Sequence, residues 1–247
     1  MRPVLFAWRG LTLRSYPLML YLGLLAGIVA GHDAARRAGL DPVRSYLAML
    51  ALVGPGLLGA RLLFVATHRT AMGAQPHTAA RAGGAAVWGA LLSVLLLSVP
   101  LLAALGLPLA VFWDVATVPL LLAALFGRAG CLLHGCCGGR PLPPRAARFL
   151  PGRLGRPPRR VPTQALEFAW VGALLTAVAA GWGAPARPGV LFLAALAAYA
   201  AGRLVLDVLR DDRDTPSALR ARRGLSAAAL ACSASALVLL WSIGQPA

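Results

Sequence analysis

Hydrophobic positions in this chain come in long runs, where a soluble helical protein would show stripes. Seven runs approach the roughly 20 apolar residues that cross a bilayer as a helix. They are 16–31, 44–66, 84–106, 109–126, 163–182, 189–209 and 225–243. A helix of a soluble bundle keeps a polar face, and most of these runs have none. The pattern predicts an all-α polytopic membrane protein of about seven transmembrane helices, with 1–247 as a single domain. The longest connection, 128–162, lies between helices four and five. It is rich in Arg, Pro and Gly and predicts loops or short helices. The first run is short, and the fourth carries Asp114 and Pro119, so either is expected to be tilted, broken or re-entrant. There is no internal repeat and no stretch that reads as a soluble domain.

Composition sharpens this. Charged residues make up 13% and hydrophobic ones 59%, with a mean hydropathy of +0.72; a soluble domain is about 25% charged. All 24 basic residues are arginine, and the formal net charge is +16. Because the arginines sit in short loops between apolar runs, the fitting partner is anionic membrane lipid and not nucleic acid. A guanidinium also grips phosphate through two parallel hydrogen bonds, which an ammonium cannot. The N-terminal residues show no signal-peptide cleavage pattern, so the first run is expected to stay as a helix. If seven helices alternate, the N-terminal segment and loops 67–82, 128–162 and 210–223 share one side and hold most of the arginines. The positive-inside rule puts that side in the cytoplasm. Arginines recruited to bind a substrate phosphate would mislead that count.

Ionisable residues inside the runs carry the next layer. Arg61, Asp114, Glu167, Arg203 and Asp207 all fall in or near predicted helices, where a charge usually faces a cavity or a partner. Arg203 and Asp207 are four apart and can simply pair. Glu167, the only glutamate in the chain, is expected near the interface and partly buried. Asp114 reads as an N-terminal helix residue favoured by the dipole. The segment 127–141, GRAGCLLHGCCGGRP, sets Cys131, His134, Cys136 and Cys137 between Arg128 and Arg140. These four could hold zinc or another thiophilic metal, but adjacent Cys136 and Cys137 do not easily ligate one ion, so no metal site is assigned; no cofactor is expected. A disulfide from Cys131 to Cys136 or Cys137, or plain small-residue packing, remains open. Cys232 is an ordinary small helix residue.

Several stretches together resemble the bacterial prolipoprotein diacylglyceryl transferase family. GRAGCLLHGCCGGRP resembles its signature, approximately G-R-x-G-N-x-x-N-x-E-x-x-G-R. VPTQALEF resembles its P-x-Q-L-Y-E segment, and YAAGRLVLDVLRDD its Y-x-x-x-R-x-x-x-E-x-x-R segment. LRSYPLMLYLGLLAG and GLLGARLLFV resemble its first and second membrane helices. The five stretches follow the family order and span nearly the whole chain. The resemblance implies a multi-pass enzyme of the bacterial inner membrane with an outward-facing N-terminus and active site. Such an enzyme moves the diacylglyceryl group of phosphatidylglycerol to the lipobox cysteine of a prolipoprotein signal peptide, and glycerol phosphate leaves. A monomer is expected.

Carried over by position, the resemblance implies that Arg128 holds the lipid phosphate and that Gly130 and Gly139 are signature glycines. Tyr16 is the tyrosine of the first helix. Gln164 and Glu167 belong to the P-x-Q segment, with Leu166 where the family has Tyr. Arg203 lies near the head group, Asp207 replaces Glu, and Arg210 follows. Arg61 and Arg140 are counted with the substrate-binding group. Cys131 and His134 stand where the family has Asn, and Cys136 where it has Glu. Ala82 falls where the family has a His that suits a general base, which leaves His134 or the loop residue His77 for that task. The alternative reading is a family homologue without transferase activity that binds anionic lipid or does thiol redox work.

Overall fold

The computed structural model describes residues 4–8, 11–68, 86–135, 138–142, 160–182, 187–210 and 216–243. A short antiparallel hairpin comes first, β1 (Val4–Trp8) and β2 (Leu11–Arg14), with Trp8 opposite Leu11 and a shift in register between Val4 and Phe6. Seven helices follow: α1 (Ser15–Arg37), α2 (Pro42–Thr67), α3 (Val87–Leu105), α4 (Leu109–His134), α5 (Thr163–Ala180), α6 (Val190–Leu209) and α7 (Pro216–Ser242). Each is long and apolar enough to cross a membrane. Large apolar side chains point outward from them: Leu57 is 69% exposed, Leu96 73% and Val205 66%. Such a surface is stable only against lipid. The protein is therefore a multi-pass membrane protein, all-helical except for the hairpin, which the hydrophobic pattern did not signal.

Helix ends follow local chemistry. Asp41 caps α2 by accepting from the Val43 and Arg44 amides at 2.8 and 3.1 Å, with Pro42 at the first helical position, where a missing N–H costs nothing. Gly135 ends α4 at φ 81°, a conformation that a side chain disfavours.

The bundle has two unlike ends. At one, the α1–α2, α3–α4 and α5–α6 connections meet over an apolar core of Ala35, Leu52, Leu102, Phe112, Trp113 and Phe192. Asp114 sits inside this core. Its carboxylate accepts from the Gly189 amide at 2.6 Å and the Phe192 amide at 2.9 Å. It thus caps the first turn of α6, so the dipole that favours it belongs to a different helix from its own. The other end gathers the starts of α1, α3, α5 and α7 and the finishes of α2, α4 and α6. The Ser217 hydroxyl on α7 donates to the Thr67 carbonyl at 2.5 Å, and the Ala86 amide to the Ala60 carbonyl at 3.1 Å. The alternation expected from sequence holds.

Three boundaries differ from the sequence reading. Helix α1 is 23 residues long and not short. Helix α7 begins at Pro216, nine residues before the apolar run, because the arginines of SALRARRG continue the helix as good helix formers. Helix α4 runs unbroken through Pro119 to His134. The expected loop from residue 128 therefore starts only at Gly135. Gly130 is helical and lies where α1 crosses. A Cβ there would come within 3.0 Å of the Tyr16 ring and 3.3 Å of Met19. The glycine serves a close approach of two helices and no turn.

Candidate functional site

At the hairpin end, side chains from α4, α5, α6 and α7 converge on two buried carboxylates. Glu167, in the second turn of α5, is 4% exposed, so it is not the partly buried interfacial residue expected from sequence. Arg128 Nε from α4 approaches one of its oxygens at 2.5 Å. Arg203 Nη1 from α6 meets the other at 2.9 Å, and Arg210, just past α6, lies 3.5 Å from that same oxygen. Asp207 is fully buried one turn beyond Arg203. Arg222 on α7 donates to its Oδ2 at 2.9 Å, while Arg203 Nη2 stands 3.8 Å from its Oδ1. The simple Arg203–Asp207 pair expected from spacing is thus one link of a chain of alternating charge. Four guanidiniums and two carboxylates thus meet at this end of the bundle. Burial, and next the charge of Arg203, push the Arg210 guanidinium below its ordinary value, with Glu167 pulling the other way. A guanidinium still keeps its proton at neutral pH.

Charges held this far from water are stable only when paired, and a cluster of guanidiniums is also the chemistry that takes up an anion. Phosphate is the natural one, because each guanidinium offers a planar fork.

A backbone knot supports the cluster. The Gly139 amide donates to the Val161 carbonyl at 2.9 Å, the Arg140 amide to Leu209 at 3.0 Å, and the Val161 amide to Arg140 at 3.0 Å. Arg140 Nε donates to the Arg210 carbonyl at 3.2 Å, and Arg160 to the Gly139 carbonyl at 3.3 Å. A Cβ on Gly139 would strike the Leu209 carbonyl oxygen and come 2.7 Å from Thr163. Gln164 is buried beneath this knot; its amide nitrogen lies 3.8 Å from where a Cβ on Gly138 would stand.

The remaining expected residues are placed as follows. Tyr16, on the first turn of α1, is 38% exposed and packs against Gly130. Arg61, half-buried on α2, holds its guanidinium 5.4 Å over the Phe64 ring. His134 ends α4 and is exposed. Cys131 is buried in the last turn of α4, and Cys232 is exposed on α7. Cys136, Cys137, His77 and Ala82 lie outside the described residues, so the disulfide question does too. Among the described residues, no three His, Cys, Asp or Glu side chains come together as a metal site would need.

Arg222 is the member of the cluster that sequence reasoning missed. It stood in an arginine-rich loop, where arginine reads as a topology signal. Nothing in the sequence separates it from the other arginines of that stretch.

A sequence profile of the prolipoprotein diacylglyceryl transferases matches residues 3–243. The chain belongs to this family. Individual relatives agree. A protein of Frankia alni named phosphatidylglycerol–prolipoprotein diacylglyceryl transferase is 30% identical over 239 residues, which cover 92% of this chain and 63% of that protein. Proteins of the same name from Clostridium tetani and Symbiobacterium thermophilum are 27% and 29% identical, over 86% and 99% of this chain and 86% and 94% of their own lengths. The chain thus spans just under two thirds of the Frankia relative and most of the other two. The transferase resemblance read from five short stretches is confirmed over nearly the whole chain.

Proposed function

We propose that the chain acts as a single-domain diacylglyceryl transferase of the bacterial inner membrane, working as a monomer. It takes phosphatidylglycerol as donor and the lipobox cysteine of a prolipoprotein signal peptide as acceptor. The observation that carries this is the buried cluster of four arginines on Glu167 and Asp207, set at one end of a seven-helix bundle that also matches the family profile. A phospholipid phosphodiester lies at the membrane surface, where the ends of spanning helices come.

In the reaction, the acceptor thiol loses its proton, and its sulfur attacks the diacylglyceryl carbon that bears the phosphate oxygen. A carbon–sulfur bond forms, the carbon–oxygen bond breaks, and glycerol phosphate leaves with the electron pair. The thiolate is the nucleophile, so a base is needed, and the departing phosphate needs positive charge held in place. Arg128 and Arg203 supply that charge, with Arg210, Arg140 and Arg61 around them. Gly130 lets Tyr16 close on α4 beside Arg128, and Gly139 lets the knot hold Arg210. Gln164 and Glu167 fix the arginines, and Asp207 lies one helical turn below Arg203.

His134 is the base in this scheme. Among the described histidines at this end, His68 is stacked on Phe64, with 4.2 Å between ring centroids, and its Nδ1 lies 2.9 Å from the Phe64 carbonyl. His134 is exposed, less than two turns beyond Arg128 on the same helix. The family's Asn and Glu positions hold Cys131 and Cys136 here, and the arginines and glycines carry the site without them.

The test is transfer from phosphatidylglycerol to a lipobox peptide by purified protein. Arg128→Lys is expected to lose about ten- to a hundredfold, the worth of a charge-assisted hydrogen bond, because one ammonium cannot replace a fork. Full activity of Arg128→Lys would remove the phosphate role. No thioether from the unaltered protein would remove the transferase reading itself.

A further inference from the structure

We propose that Arg222 is a positioning residue for the anion site: by holding Asp207, it keeps Arg203 turned toward Glu167. The inference rests on the anionic-lipid reading of the site given above. Arg222 lies outside all five stretches that carry the family resemblance, and it reaches the site from a helix that those stretches do not include.

The geometry sets up a competition. Arg203 and Asp207 are one helical turn apart on α6, the spacing at which such a pair closes directly. Here they do not close. Arg203 Nη2 stands 3.8 Å from Asp207 Oδ1, too far for a hydrogen bond, while its Nη1 bonds Glu167 at 2.9 Å. Glu167 already has Arg128 at 2.5 Å and Arg210 at 3.5 Å. By charge alone, Asp207 would be the more attractive partner for Arg203. The difference is Arg222, whose Nε bonds Asp207 Oδ2 at 2.9 Å; its side chain is only 16% exposed and that of Asp207 1%. Two charges held this far from water interact strongly. With Asp207 engaged by Arg222, Arg203 is left to Glu167, near the phosphate-facing Arg128.

Removing Arg222 has two effects. Asp207 becomes the less neutralised carboxylate and draws Arg203 one turn down its own helix. The cluster also loses one positive charge. Both weaken the hold on an anion. Removing the Asp207 charge as well takes away the competitor and returns the net charge of the cluster to its starting value, so Arg203 returns to Glu167.

A purely structural role for Arg222, as a pin between α6 and α7, predicts the opposite. Two lost partners would then be worse than one.

The experiment uses the full chain in nanodiscs, with dipalmitoyl phosphatidylglycerol against dipalmitoyl phosphatidylcholine, read by native mass spectrometry and by transfer to a lipobox peptide. Arg222→Gln is expected to weaken phosphatidylglycerol binding about tenfold, as for residues coupled in one network. The apparent KM for this lipid should rise more than kcat falls. Arg222→Lys recovers most of the binding. The double variant Arg222→Gln with Asp207→Asn returns to within about threefold of the unaltered protein, a non-additivity that marks residues acting through one another. A double variant as weak as Arg222→Gln, or weaker, overturns the proposal, as does unchanged binding in Arg222→Gln. Lipid preference without thioether formation would sink the transferase reading alone, since the Arg222 result is read from binding. Loss of any preference for phosphatidylglycerol in the unaltered protein would sink both.

Discussion

Glu167 neutralises part of the charge on three guanidiniums with one carboxylate, and it does so out of reach of water. Replacing it by Gln would keep the shape and leave Arg128, Arg203 and Arg210 facing one another. Breaking a buried ion pair from one side costs about 3–5 kcal/mol. Glu167→Gln is therefore expected to lower the unfolding temperature in detergent and to abolish transfer. A variant with unchanged thermal stability would show that the arginines find other anions. At this scale much of the site was legible. Glu167, Arg203 and Asp207 stand out because a charge inside or beside an apolar run needs a reason, and Arg128 through its place in the family signature. What the sequence could not convey is who pairs with whom. Arg203 and Asp207 looked like a closed local pair, and only the approach of α5 and α7 divides them between Glu167 and Arg222.

The helices that carry these residues were legible by length and apolarity, and their ends were not. The apolar runs end at the first arginines and glycines, whereas α4 continues through Arg128 and Gly130 to His134 and α7 begins on the arginines before its run. The signature segment therefore opens as the last two turns of a helix, with its bend at Gly135. The turn proper is held to α5 and α6 through Gly139, whose amide bonds Val161 and whose neighbour bonds Leu209. Gly139→Ala would push a methyl group into the Leu209 carbonyl. Overpacking of this kind costs about 1–3 kcal/mol, and here the segment that must move carries Arg140 and abuts Arg210. The expected outcome is a folded protein with transfer reduced tenfold or more, a loss of the order that about 1.4 kcal/mol produces. Size-exclusion chromatography and the peptide assay together check this, and full activity in Gly139→Ala would show that the knot does not set the arginines.

For the whole molecule, the charged end and the apolar end make orientation a functional question. A simple arginine count turns the charged end toward the cytoplasm, while secreted acceptor proteins call for the opposite. Since four arginines of that end are engaged in the cluster, they cannot be counted as topology signals in the ordinary way. The site is therefore expected to face outward and the C-terminus inward. A reporter fused after residue 247 that is active only outside would reverse that assignment. The far end has a consequence of its own for how the chain is made. Asp114 enters the membrane with α4, but the amides it caps, those of Gly189 and Phe192, are synthesised more than seventy residues later. Until α6 arrives, a growing chain holds an unmatched carboxylate in lipid, at a cost of a few kcal/mol. An unfinished molecule thus carries its own mark of incompleteness, one that membrane proteases and insertion chaperones are able to read. A chain ending at Trp182 should be cleared quickly from cells, and Asp114→Leu in that truncated chain should lengthen its half-life. In the full-length protein, the same substitution should shorten it.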